Sequence, residues 1–333
     1  MYASEIVAVG MAVPDRIVTN DDLSKLMDTN DEWITQRSGI RERRWVDAQT
    51  TTSDLALRAA ERAIAAAGIK KEDIELIVMA TLSPDHDFPG TGCFLQAKLG
   101  LAGCATLDIR QACSGFLYGL SVADQFIKTG MYKTVLLVGA EVHSKGLDVS
   151  TRGRDVAVLF GDGAGAAILK RTDATNSSRV LSTHLHAEGA HAQELWLPGP
   201  GMNLGAERVS RAMLDEGLIY PKMNGKKVFA HAIRRMAEVL MEGLAANNTK
   251  LEDIDLFLFH QANLRINEML AQELKIPPEK VFNTIHKYGN TTAATIPIGM
   301  SEAVAAGKLK KGMLVASAAF GSGFTWASAL YRW

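Results

Sequence analysis

This sequence predicts a layered α/β fold built from two duplicated halves, on three observations. One segment recurs 180 residues later, each copy follows a helix-period stretch, and the apolar runs are short and continuous. Glu72-Asp73-Ile74-Glu75-Leu76-Ile77-Val78-Met79 returns as Glu252-Asp253-Ile254-Asp255-Leu256-Phe257-Leu258-Phe259. Residues 55–67 and 233–246, which precede the two copies, carry apolar side chains at helical spacing. Runs such as Thr134-Val135-Leu136-Leu137-Val138 are strands buried on both faces, which need helices to cover them.

Later segments echo in the same order. Thr134-Val135-Leu136-Leu137-Val138 pairs with Met313-Leu314-Val315-Ala316 at an offset of 179, and Cys113 pairs with Asn290 at 177. The polar, turn-like Thr172-Asp173-Ala174-Thr175-Asn176-Ser177-Ser178 marks the seam, giving halves at 1–172 and 173–333. Residues 197–225, with Pro198, Gly199, Pro200, Gly201, Pro221 and Gly225, read as a long excursion beside a pocket.

Composition narrows the function. The 333 residues are 47% apolar and 22% charged with a net charge of −1, so no basic footprint points to nucleic acid. The first 16 residues lack a basic start followed by an apolar run, and nothing approaches the ~20 apolar residues of a membrane span. Three cysteines, Cys93, Cys104 and Cys113, show no Cys-x-x-Cys spacing. A reducing compartment, the cytoplasm, is expected, with neither disulfides nor a metal.

Cys113 stands between a short apolar run and the helical stretch 116–128. A cysteine at a helix N-terminus is expected to favour the thiolate, the reactive form. A lone cysteine is more often a small buried hydrophobe, the reading kept for Cys93 and Cys104. Cys113 is set apart by partners in the second half. His260-Gln261-Ala262-Asn263 comes directly after the strand 256–259, where α/β sites are built. Gly289-Asn290-Thr291-Thr292 opens another helix, and Phe320-Gly321-Ser322-Gly323-Phe324 can present backbone N–H groups to an oxyanion.

With these motifs in this order, the chain resembles the β-ketoacyl-acyl-carrier-protein synthase III family, from Asp28-Thr29-Asn30-Asp31-Glu32-Trp33 to Phe324-Thr325-Trp326. The resemblance implies a thiolase-like five-layered αβαβα core and a homodimer. It implies an acyltransferase that joins an acyl-CoA starter to malonyl-acyl-carrier protein by decarboxylating Claisen condensation, with no cofactor. Cys113 matches the acyl-accepting nucleophile, and His260 and Asn290 the pair acting on the malonyl thioester. The backbone N–H groups of Cys113 and Ser322 match the oxyanion hole. Thr29, Trp33, Arg37, Arg152, Met223, Gly225, Phe229, Ala262 and Asn263 match the coenzyme A contacts. Phe88 and Phe320 match acyl-pocket residues, Phe88 reaching into the partner subunit. Gln261, Ala262, Asn263, Leu264 and Arg265 match the carrier-docking patch. Gln272 and Glu273 replace bases there, for which Arg234 and Arg235 stand in.

Related families lack support. A thiolase needs a second cysteine in the second half, which has none. A hydroxymethylglutaryl-CoA synthase needs a glutamate beside the nucleophile, absent from Ala80-Thr81-Leu82-Ser83. Gly161-Asp162-Gly163-Ala164-Gly165 suggests a nucleotide loop, but Ala167-Ile168-Leu169 continues it as a strand. A non-catalytic scaffold would not need Cys113, His260 and Asn290 together. A relative using a medium-chain or aromatic starter stays open, favoured by the 197–225 excursion, Ser322 and the Ser83-Pro84-Asp85-His86 run.

Overall fold

The computed structural model describes residues 2–203, 205 and 207–333, so Leu204 and Ala206 of the 197–225 excursion lie outside the described residues. The main strands are β1 (Tyr2–Ala12), β2 (Leu76–Ala80), β3 (Ala105–Ile109), β4 (Thr134–Glu141), β5 (Gly163–Asp173), β6 (Arg179–Ala187), β7 (Leu256–Phe259), β8 (Leu314–Gly321) and β9 (Thr325–Arg332). The helices that matter here are α1 (Asp31–Ser38), α2 (Thr52–Ala67), α3 (Gly115–Lys128), α4 (Gly225–Ala246), α5 (Leu264–Glu273) and α6 (Thr295–Ala305).

Local chemistry explains these elements. Thr51 and Asp54 form a reciprocal capping box at the start of α2, and Gly68 closes it in the left-handed region. Leu55, Ala56, Ala59, Ala60 and Ala63 put one buried stripe on the sheet. Every residue of β2, β4, β7 and β8 is buried, as strands covered on both faces must be.

One sheet runs β1-β5-β4-β2-β3 and the other β7-β8-β9-β6. Strands β4, β2 and β3 are parallel, as are β7 and β8, and the remaining pairs are antiparallel. Helix α2 covers the outer face of the first sheet, and α4 with α5 that of the second. Helices α3 and α6 lie between the sheets, and Phe116, Leu120, Ile296 and Met300 share one core with both. This is the five-layered αβαβα arrangement.

The structure corrects the offsets. Strands β2 and β7, strands β4 and β8, and the short turns Ala112–Ser114 and Thr292–Ala294 all correspond at 180 residues. Val135 and its counterpart Val315 both face the central core, while Leu136 and Ala316 both face outward. An offset of 179 would flip every side chain to the wrong face. At the turns, Ala112 and Thr292 share a positive φ of 45° and 49°. The counterpart of Cys113 is therefore Ala293, and that of Asn290 is Arg110. Ala-Cys-Ser and Thr-Ala-Ala share no residue position by position, so only backbone geometry reveals the match.

The glycine-rich run 161–165 serves packing. A Cβ on Gly165 would lie 2.6 Å from Cβ of Pro297, so β5 can approach α6 only without one. The run continues as β5, which is incompatible with a nucleotide loop.

Candidate active site

The short turn before α3 holds Cys113, which is buried, and Ala112 beside it takes a left-handed φ that non-glycine residues rarely adopt. Gly321 at the end of β8 presses on this turn, where a Cβ would lie 2.7 Å from Cβ of Cys113. Cys113 and Ser322 line one cavity, and the backbone N–H of each favours the thiolate. Ser322 Oγ is itself tied to the Leu195 carbonyl, which fixes the glycine-rich turn.

The burial of Cys113 works against the expected thiolate. Burial, then the nearby Glu141 charge, pushes the Cys113 thiol up to about 12, against the two N–H groups and the Thr292 hydroxyl. The Cys113 N–H favours the thiolate, but desolvation is the larger effect.

Glu141 is a residue that sequence reasoning did not single out. It ends β4 and is fully buried, accepting hydrogen bonds from Thr81 Oγ1 at 3.2 Å, Ser83 N at 3.1 Å and Ser83 Oγ at 2.5 Å. The strand end 80–83 has no glutamate of its own, yet the neighbouring strand supplies a carboxyl to it. Burial pushes this carboxyl up to about 7 despite those donors and the Ala293 N–H. No spacing rule would have found it, because sheet order, not sequence distance, brings β4 beside β2.

His260 follows β7 and is held by its own N–H, which donates to the Ala318 carbonyl at 2.9 Å. Its Nδ1 lies 2.7 Å from Thr295 Oγ1, and its buried Nε2 has no partner among the described residues. Burial pushes the imidazole down to about 3, so it is neutral in ordinary buffers. Asn290 Oδ1 accepts the Thr292 N–H at 2.8 Å, which leaves Nδ2 as the end available to a ligand. Its backbone bonds to Leu159 and Gly161 fasten it to the first half.

Cys113, His260 and Asn290 line one channel of about 120 Å³, together with Phe320 and Gly321. Outward, Met223, Gly225, Phe229 and Asn263 continue into an open groove of about 1010 Å³ whose walls include Trp33, Arg37, Lys226 and Arg265. Ala262 lines the inner channel.

Arg37 stacks over Trp33 at 4.5 Å, and Arg154 lies over the same ring at 5.5 Å. Arg154 was not anticipated. Its signal was weak, since Thr151-Arg152-Gly153-Arg154 offers two arginines and the family pattern falls on the first. Arg152 is ion-paired with Asp148 at 2.6 Å and faces Tyr220, Arg154 donates to the Asp28 carbonyl at 2.6 Å and the Asp28 carboxylate at 3.2 Å, and neither arginine nor Thr29 lines the groove.

On its other side Cys113 borders a cavity of about 260 Å³. Its walls are Leu82, Val142, Leu147, Leu195, Trp196, Leu197, Ile219 and Pro221, with Ser83, His143 and Thr292 as polar groups. Phe320 walls the channel and not this cavity, contrary to its acyl-pocket assignment. Part of the 197–225 excursion forms a cavity wall, pinned by a two-residue strand pair, Leu195–Trp196 with Lys222–Met223. Phe88 is 83% exposed and lines neither cavity of its own chain.

The expected docking patch is only partly surface. Gln261 is buried, donating to the Phe259 carbonyl and accepting the N–H groups of Thr284 and Ile285, so it cannot reach a partner. Asn263 caps α5 and donates to the Arg37 carbonyl at 2.9 Å. Leu264 is half-buried against the core under α1, and Arg265 alone is exposed, over the Phe229 ring. Arg234 and Arg235 are both paired with Glu238, and Arg235 also with Glu188. The substitute-base reading therefore fails for Arg235, which is mostly covered.

Among the described residues Glu188, His191 and His231 come within metal-ligand reach of one another, but Arg235 already neutralises that carboxylate.

Two family models match, 3-oxoacyl-[acyl-carrier-protein] synthase III over residues 107–189 and its C-terminal model over 244–333. A β-ketoacyl-[acyl-carrier-protein] synthase III of Xanthomonas euvesicatoria is 46% identical over 331 residues, 99% of this chain and 98% of that protein. One from Caldanaerobacter subterraneus is 43% identical with the same coverage. The crystal structure of 3-oxoacyl-[acyl-carrier-protein] synthase III from Aquifex aeolicus superposes with a TM-score of 0.90 at 42% identity, covering 99% of this chain and all of that one.

Proposed function

This chain belongs to the β-ketoacyl-[acyl-carrier-protein] synthase III family, and from that premise we propose which of its residues carry the reaction. It is a condensing acyltransferase that initiates fatty-acid synthesis, joining an acyl-CoA to malonyl-acyl-carrier protein. The observation that carries the residue assignment is that Cys113, His260 and Asn290 line one buried channel opening onto a cationic, aromatic groove.

In loading, Cys113 sulfur attacks the acyl-CoA thioester carbon. The new S–C bond replaces the bond to CoA sulfur, which leaves with the thiol proton. The N–H groups of Cys113 and Ser322 hold the oxyanion of the tetrahedral intermediate. In condensation, the malonyl carboxylate leaves as CO₂, and its electron pair forms an enolate. Nε2–H of His260 and Nδ2–H of Asn290 donate to that enolate oxygen, stabilising charge where it develops. The enolate carbon then attacks the acyl-Cys113 carbonyl and expels the Cys113 thiolate. Each step uses side chains and backbone alone, so this route needs no cofactor.

The groove binds the nucleotide end of CoA through Trp33 and Arg37, with Arg154 over the Trp33 ring and Lys226 and Arg265 as cations for phosphate. The pantetheine arm runs along Met223, Gly225, Phe229, Ala262 and Asn263. Arg265 is the residue of the docking patch free to meet an acidic carrier. Residues 1–172 and 173–333 are the two halves of one duplicated unit. Phe88, large and exposed, fits a homodimer in which it enters the partner's acyl cavity. No helix among the described residues is long and apolar enough to cross a membrane, which is compatible with a cytoplasmic site.

A starter longer than acetyl is favoured by the apolar cavity of about 260 Å³ beside the sulfur, far more than one methyl group requires. His260→Ala and Asn290→Ala should still load Cys113 while losing ~10²–10³ in malonyl decarboxylation. Decarboxylation at the parent rate in both would refute the assignment.

A further inference from the structure

We propose that His143 and Thr292 act as one unit that turns a hydroxyl donor onto the Cys113 sulfur, stabilising the thiolate when it attacks and when it leaves. This rests on Cys113 being the acyl-accepting residue. His143 Nε2 lies 2.6 Å from Thr292 Oγ1, and both residues line the cavity that Cys113 borders. Thr292 and Cys113 line the same cavity, and His143 is the one group among the described residues that hydrogen-bonds the Thr292 hydroxyl. When Nε2–H donates to Thr292 Oγ1, the Thr292 proton is left free to point at sulfur, and the hydroxyl pulls the thiol pKa downward.

Two features hold this pair in place. Thr292 takes a φ of 49°, a costly conformation for a β-branched residue, and such strain collects at sites that use it. His143 is fixed from behind, its N–H donating to Asp162 Oδ1 at 2.7 Å and its ring packed on Phe160 at 4.7 Å. Asp162 is buried and also takes the N–H groups of Ser144 and Val46, so this anchor is rigid.

The titratable groups around the sulfur are Glu141 from β4, His143 just beyond it, and His260 from the end of β7. Burial pushes both histidines down to about 3, so they act as fixed dipoles and only Glu141 changes charge near neutrality. The other donors that favour the thiolate are backbone N–H groups, which makes one side-chain hydroxyl matter. A lost hydrogen bond to a charged group lowers the thiolate population about tenfold or more.

The test measures iodoacetamide alkylation of Cys113 against pH, mapped by peptide mass, alongside rapid-quench loading from an acyl-CoA. Thr292→Val and His143→Phe should each slow both reactions about tenfold at pH 7 and move the alkylation profile up by about one pH unit. The double variant should be no slower than either single one. Thr292→Ser and His143→Gln, which keep a hydroxyl and an N–H donor, should restore most of the rate. An unmoved profile in Thr292→Val, or fully additive losses in the double variant, would overturn the proposal. Should the acyl group map away from Cys113 in the parent protein, the underlying assignment fails instead.

Discussion

Nδ1 of His260 lies 2.7 Å from the hydroxyl of Thr295, and the same hydroxyl reaches the Thr292 carbonyl at 3.0 Å. One proton has two claimants. Given to the imidazole, it leaves Nε2–H as a donor toward the channel. Given to the carbonyl, it forces the imidazole proton onto Nδ1 and leaves Nε2 a bare lone pair. Because His260 is held neutral by burial, it cannot carry both protons. The enolate stabilisation proposed for His260 therefore depends on Thr295.

Thr295→Val should lower malonyl decarboxylation roughly tenfold, the size of one weakened donor, and leave loading of Cys113 nearly intact. Thr295→Ser should recover the loss. Separate assays of CO₂ release and acyl loading check this, and equal losses in both would show a merely structural role.

Glu141 makes stability depend on pH with a defined sign. Its folded pKa is raised from 4.5 to about 7, so the folded state holds the proton more tightly than the unfolded state. That contribution is complete below pH 4.5 and is lost as pH rises through 7, about 3 kcal/mol in all. Denaturant melts of the parent and Glu141→Gln should differ by a slope confined to this window. The substitution should also speed Cys113 alkylation several-fold at pH 8, since it removes the charge that opposes the thiolate. Parallel pH curves would contradict the assignment.

Arg37→Ala and Arg154→Ala should each raise KM for an acyl-CoA several-fold and spare kcat, the pattern of lost uniform binding. Both lie over the Trp33 ring, Arg154 while also bonded to Asp28, whereas Arg152 faces Tyr220. Arg152→Ala should therefore change KM less than either. Steady-state kinetics with acyl-CoA and with the corresponding acyl-pantetheine check this, because the truncated thioester lacks the nucleotide and should be indifferent to all three.

The fold was legible where sequence pattern and burial coincide. The buried runs at 76–80, 134–141 and 256–259 appear as strands because apolar side chains are needed on both faces. Cys113, His260 and Asn290 were legible as separate motifs, each at the junction of a strand or turn with a helix. Their spatial relation was legible for a partly wrong reason. Cys113 and Asn290 do meet at one channel, but the turn equivalent to Cys113 centres on Ala293, a match carried by φ angles that letters do not encode. Glu141 and Gln261 show the same limit from opposite sides. A glutamate at a strand end is ordinarily solvated, yet sheet order buries it close enough for its charge to act on Cys113. A glutamine after a strand reads as surface, yet its side chain folds inward to satisfy the backbone at 284 and 285. Long-range packing decides both, and local sequence carries no trace of it.

The central claim is that Cys113 carries the acyl group in a cavity sized for more than acetyl. The most direct measurement is mass spectrometry of the intact protein after brief incubation with a mixture of acetyl-, butyryl-, octanoyl- and aromatic acyl-CoA, followed by peptide mapping. One acyl group per chain is predicted, on Cys113, with a longer or aromatic starter outcompeting acetyl. An adduct on Cys93 or Cys104 with Cys113 free, or a clear preference for acetyl over every larger starter, would contradict it.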